Sequence, residues 1–150
     1  MPDLPTLGWK AISDALATKL ATVPGIKEAT SEPDDNAPSS FPFALIEPPG
    51  FDLDEESPYV DAYEATFTVW IGFSLEGGGR QELLEEYEVL DGLVPAFRSG
   101  RRLGLPLLVR NSRIQSVRDG IVTYWGEPGF PGLEVQILVQ IAETMPGRSD

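Results

Sequence analysis

Trp9, Ile12, Leu16, Leu20 and Val23 recur at steps of three and four residues, which aligns them along one stripe of an amphipathic helix from about Leu7 to Thr22. Pro24-Gly25 ends that helix, and Ile26 to Thr30 reads as a short strand. SEPDDNAPSS is too polar and too rich in proline for anything but a loop. Phe41 to Ile46 is a short apolar run of the kind that forms a buried strand, stopped by Pro48-Pro49-Gly50. The clearest alternation lies between Tyr63 and Glu76. Tyr63, Ala65, Phe67, Val69, Ile71, Phe73 and Leu75 share one face, while the other is mostly Glu, Thr, Ser and Gly, with Trp70 the large exception. Such alternation predicts an antiparallel sheet covered on one side.

Gly77-Gly78-Gly79 separates this strand from a second helical pattern, from about Arg80 to Arg98. Leu83/Leu84, Tyr87, Leu90, Val94 and Phe97 form its predicted core stripe, and Pro95 is expected to kink the helix or end it early. Leu107 to Arg118 and Ile121 to Glu127 read as two strands joined in a hairpin at Asp119-Gly120. The apolar parity slips between Val109, Ile114 and Val117, which predicts a bulge. Leu133, Val135, Ile137, Val139 and Ile141 then alternate with polar residues in a final long strand, and Pro146 to Asp150 read as a frayed tail. Two amphipathic helices and several one-sided strands are best satisfied by an α+β fold: a mainly antiparallel β-sheet with both helices packed on its apolar face, plus a β-hairpin. At 150 residues the chain fits a single domain, 1–150.

Composition narrows the function more than the fold. The chain has no cysteine and no histidine, which removes disulfides, thiolate chemistry, the base of the common serine and cysteine triads, and the commonest ligand of zinc. No apolar run approaches the ~20 residues of a membrane-spanning helix. The opening MPDLPTLGWK lacks the basic region and apolar block of a secretory signal, so the cytoplasm of the producing cell is the expected place of synthesis and assembly. A net charge of −13 disfavours attraction to nucleic acid or anionic lipid.

That charge is segregated along the chain. Eleven acidic residues and no basic one lie between Glu28 and Glu64, whereas Arg98, Arg101, Arg102, Arg110, Arg113 and Arg118 follow one another with no acidic residue between them. Surfaces of opposite sign on one subunit suit head-to-tail association of identical copies.

The densest acidic stretch, IEPPGFDLDEESPY, invites a metal reading, because hard cations take several carboxylates. Asp52 and Asp54 open a calcium-loop pattern. Glu56 then replaces the third ligand, Ser57 the required glycine, and Tyr63 the closing glutamate. A solvated acidic loop is the ordinary meaning of such a run. A pair of carboxylates doing acid and base work has no specificity among 24 acidic residues, and the triple glycine lacks the Lys-Ser/Thr of a phosphate loop. No catalytic residue, cofactor or metal is therefore expected. The arginines fit three uses: gripping phosphates, complementing a helix C-terminus and lining a solvated face, or pairing with the acidic segment of a neighbouring subunit. Trp125 and Phe130 sit near turns, as edge packing or as interface anchors.

The order of LATVPGIKEAT, FPFALIEPPG, YEATFTVWIGFSL, ELLEEYEVLDGLVPAF and IVTYWGEPGFPGLEVQILVQI resembles that of the tail terminator, or tail completion, proteins of long-tailed bacteriophages, over most of the chain. The resemblance rests on order, spacing and patterning rather than on an invariant motif. It implies a non-enzymatic virion protein that forms a hexameric ring on the tail tube, stops its polymerisation and provides the head-joining surface. The partners it implies are other copies of the chain, the tube protein, the head–tail connector proteins, and DNA passing through the lumen. Within that resemblance, Asp52, Asp54, Glu55, Glu56, Arg98, Arg101, Arg102, Arg110, Arg113 and Trp125 are the expected interface or lumen residues. Two other readings fit the same pattern: another neck or tail component, such as a connector or tube subunit, and a ligand-binding or hydrolytic α+β domain using the acidic loop.

Overall fold

A computed structural model of the chain describes residues 8–32, 38, 40–52, 62–74, 78–126 and 129–142. Along the chain these form α1 (Trp9–Leu20), β1 (Glu28–Thr30), β2 (Phe43–Ile46), β3 (Gly50–Asp52), β4 (Ala62–Gly72), α2 (Gly78–Arg98), β5 (Val109–Val122) and β6 (Phe130–Ala142). The strands make one sheet in the order β1-β2-β4-β6-β5, with β3 also paired to β4. All neighbours are antiparallel except β1 and β2, which run parallel. The chain is an α+β protein with a mostly antiparallel sheet, as the alternating pattern required.

The main core lies between the two helices and one face of this sheet. Ile12, Leu16 and Leu20 of α1 are fully buried against the odd-numbered residues Ala65, Phe67, Val69 and Ile71 of β4 and Val135, Ile137, Val139 and Ile141 of β6. The period of two in the strands supplies one wall and the period of 3.6 in α1 the other. Burying each large side chain contributes about 1.5–3 kcal/mol relative to leaving it exposed. α1 lies over β1 and β2, and α2 over β5, so the helices divide the sheet between them.

The second helix turns a different face inward from the one its sequence suggested. Val89, Leu93 and Phe97, at steps of four, are its buried residues, whereas Leu83, Leu84, Tyr87 and Val94 are exposed. Of the expected stripe, only Phe97 is fully inside and Leu90 partly so. Two apolar stripes overlap on this helix, and the sheet selects the one that runs through Val89, Leu93 and Phe97. The helix also continues through Pro95 to Arg98 rather than stopping short. Proline this close to a C-terminus removes one backbone donor and leaves the last turn intact.

The expected hairpin at Asp119-Gly120 is not formed. β5 runs unbroken through both residues, which pair with Leu133 and Gly132 of β6, and the reversal to β6 comes later, at 123–129. Gly120 serves close approach instead of a turn: a Cβ there would lie 2.8 Å from Cζ3 of Trp70. The expected bulge is present twice, as register shifts between Val109 and Asn111 and between Ile114 and Ser116. The buried strand expected to stop at Pro48-Pro49-Gly50 is β2, and after the prolines the chain pairs again with β4 as β3. Glu47 still donates to the Thr68 carbonyl at 2.9 Å, and the pairing steps by one residue between Ile46–Val69 and Gly50–Thr66. The prolines therefore interrupt the pairing along β4 without ending it. The expected frayed tail, 146–150, lies outside the described residues.

Candidate assembly surface

Among the described residues, the opposite face of the sheet carries no helix. At one end it holds a second, smaller cluster built from Phe43, Leu45 and Val122, with Phe41, Trp70, Trp125 and Phe130 packed around it. Trp125 stands edge-on to Phe43 at 5.3 Å between ring centroids, and Phe43 edge-on to Phe130 at 5.9 Å. Trp70, the one large apolar residue among the polar positions of its strand, is thereby accounted for, and Trp125 packs within its own subunit in a half-buried position.

Across the rest of this face the register places the charged residues. Asp52, Glu64, Gln140 and Asn111 lie in one row across β3, β4, β6 and β5. Arg110 sits in the first bulge beside Asn111. Asp52 and Arg110 thus mark opposite edges of the sheet at the same end, three strand spacings or about 14 Å apart. Arg113 follows opposite Leu138, and Arg118 opposite Glu134, which it meets in a salt bridge of 3.5 Å. The β5 edge carries Arg110, Arg113 and Arg118, all exposed; on the other side of the sheet Glu28 and Glu47 are exposed. Asp54, Glu55 and Glu56, which continue the chain from β3, lie outside the described residues.

Arg98, Arg101 and Arg102 belong to the end of α2 and the turn after it, and are exposed as well. Two bonds anchor this turn. The buried hydroxyl of Ser112 donates to the Arg101 carbonyl at 2.8 Å. Lys19 of α1 donates to the carbonyls of Ala96 and Ser99 at 2.8 and 2.6 Å, satisfying acceptors that the helix end leaves open. Partial burial at this position pushes the Lys19 amine below its ordinary value. An open groove of about 380 Å³ runs beside it, lined by Thr18 and Thr22 of α1 and by Gly100, Leu103 and Gly104 of the turn. With its ammonium directed at two carbonyls, Lys19 acts there as a helix cap and not as an anion receptor.

Among the described residues, Arg98, Arg101, Arg102, Arg110 and Arg113 form no ion pair. The described residues also hold no group of three or more His, Cys, Asp or Glu that could bind a metal ion, and no helix long and apolar enough to cross a membrane. Neither known protein-family models nor curated proteins match this chain.

The exposed apolar residues of α2, on the other side of the molecule, are what sequence reasoning missed, because their spacing is that of a core stripe. The signal that could have found them is the competing series Val89, Leu93, Phe97 on the same helix.

Proposed function

We propose that this protein is a structural subunit of a phage tail, a terminator that closes into a ring through head-to-tail contacts, caps the tail tube and presents the surface to which the head joins. The observation that carries the reading is the unequal charge of the two sheet edges: Arg110, Arg113 and Arg118 with one carboxylate, Asp119, exposed along β5, and Glu28 and Glu47 with one lysine, Lys27, exposed on the β1 and β2 side. A subunit so polarised attracts a copy of itself through unlike edges and repels it through like ones, which favours a heterologous contact and, where the rotation closes, a ring. The arginines without an acidic partner among the described residues are the groups such a contact would neutralise. The net charge of −13 suits a channel for DNA, since carboxylates facing the lumen repel phosphate while arginines would hold it. The order of sequence elements shared with tail terminators supplies the identity of the assembly.

Negative-stain microscopy and light scattering on the purified protein, alone and with tail tubes, test the proposal. Closed rings of uniform size support it. Long open tubes grown from the protein alone would instead identify a tube subunit. Reversing Arg110 and Arg113 to glutamate should impair ring formation, and reversing charge between Asp52 and Glu56 in the same chain should restore it. Unchanged assembly of the arginine variant contradicts the edge-to-edge pairing.

A further inference from the structure

The turn after α2 carries arginines that a contact between sheet edges does not use. Its backbone reverses in short steps: Leu103 donates to the Gly100 carbonyl at 2.9 Å and Leu105 to the Arg102 carbonyl at 2.8 Å. Gly100, Leu103 and Gly104 take positive φ, at 60°, 57° and 72°. For leucine that conformation is costly and persists only where the surroundings impose it. Here Leu103 is buried, and the bonds from Lys19 and Ser112 fix the carbonyls of Ala96, Ser99 and Arg101. Arg101 and Arg102 are thus exposed side chains on a backbone that is held in place.

The groove beside this turn is walled on its other side by Ala15, Thr18 and Thr22, which share one flank of α1. Its volume of about 380 Å³ falls within the ~300–1,000 Å³ of ordinary binding pockets. Ala15 and Leu103 make part of its wall apolar. The Thr18 hydroxyl donates to the Asp14 carbonyl and the Thr22 hydroxyl to the Lys19 carbonyl. Both protons are used within α1, so the two oxygens offer a ligand lone pairs and suit N–H donors.

Charge at the rim is positive. Arg101 and Arg102 lie between Gly100 and Leu103, which both line the groove. The Lys19 ammonium covers the negative end of the α2 dipole at this point. Of the nearby carboxylates, Asp14 is taken up by Lys10 and Ser31, and Asp91, the last on α2, is two turns or about 10 Å from Arg98. At physiological salt the Debye length is about 8 Å. The arginines therefore set the local potential despite the net charge of −13.

We infer that this groove receives an acidic peptide segment of a partner protein. One apolar side chain enters between Ala15 and Leu103, flanking carboxylates meet Arg101 and Arg102, and backbone N–H groups meet the threonine oxygens. A phosphate chain would satisfy the arginines, but it has no donor for the threonines and nothing to cover the apolar wall. The held backbone lowers the ordering cost of binding. The site stands apart from the ring reading, whose contact uses the two sheet edges.

Fluorescence anisotropy on the whole chain, with the fluorescein-labelled peptide Glu-Asp-Leu-Asp-Glu as probe, tests this. The same peptide with serine for leucine should bind at least about tenfold more weakly. Arg101→Glu/Arg102→Glu should weaken the leucine peptide at least about tenfold, and Arg101→Gln/Arg102→Gln by less. Arg118→Ala, about 20 Å along β5 from Ser112, should leave binding unchanged. Thr18→Tyr, at an exposed position of α1, should fill the groove and abolish the difference between the two peptides. Absence of binding at millimolar peptide, equal affinity for the two peptides, or an arginine variant that binds like the parent overturns the inference. Polyphosphate that displaces the peptide at equal or lower concentration would assign the arginines to a phosphate ligand and overturn it as well.

Discussion

Trp70 and Gly120 lie on strands that do not pair with each other, β6 running between them, yet the indole reaches across far enough that a Cβ at position 120 would come within 2.8 Å of its Cζ3. Gly120→Ala should therefore destabilise the fold by about 1–3 kcal/mol, as overpacking does, measured by urea unfolding. Gly132→Ala should cost more, because its Cβ would meet the backbone carbonyl oxygen of Ile71 at 2.2 Å rather than a side chain that can turn aside. Had Asp119-Gly120 formed a tight turn, alanine at 120 would have disturbed the reversal and not the packing of Trp70. Indole fluorescence in the alanine variant separates the two.

The inward face of α2 makes a second prediction. Leu93→Ala should cost about 2–5 kcal/mol, as removal of a fully buried leucine does. Leu84→Ser, on the exposed side, should stay within about 0.5 kcal/mol of the parent. Thermal unfolding of the two variants measures the difference. Equal losses would mean that the stripe expected from spacing, and not the observed one, faces the sheet.

The turn carrying Arg101 and Arg102 depends on two donors from outside it. Lys19→Met removes the bonds to Ala96 and Ser99, and Ser112→Ala the bond to Arg101. Each should cost about 1–2 kcal/mol and raise amide exchange across 97–105. Exchange that rises uniformly over the chain would indicate global destabilisation in place of a released turn.

Lys10, Asp14 and Glu32 tie the outer side of α1 to the segment after β1: Lys10 meets Asp14 at 2.8 Å, and it also meets Glu32. Its bond to Asp14, then that to Glu32, holds the Lys10 amine above 10.5, while the same lysine, then the Ser31 hydroxyl, holds the Asp14 carboxyl below 3.8. The signs follow by linkage. The aspartate's contribution is present above pH 3.8 and is lost as pH falls through its lowered value. The lysine's is present below pH 10.5 and is lost as pH rises through its raised one. NMR titration should find that Asp14→Asn moves Lys10 back towards 10.5, and that added salt reduces the shift in the parent, as expected for exposed charges. A Lys10 midpoint unmoved by the substitution contradicts the network.

Much of the fold was legible because α1, β4 and β6 each have a single dominant period. β4 and β6 alternate almost without fault, and α1 offers only one stripe, so these three elements lie near the residues their patterns predict. The misreadings come where local chemistry serves two purposes. Asp119-Gly120 has the composition of a turn, but the glycine is required by Trp70 across the sheet, a contact no local pattern reveals. α2 carries two apolar stripes, and only the packed sheet selects between them. The arginines were legible as a charged set, whereas their distribution between the β5 edge and the turn after α2 depends on two bulges and on the anchors at Lys19 and Ser112.

The most direct test of the central claim is electron microscopy of tail-tube ends after the protein is added to a polymerising tube reaction. The account predicts one closed ring of subunits on a single end and tubes that stop lengthening once capped. Bare ends with unchanged elongation, or added protein stacking on without limit, would contradict it.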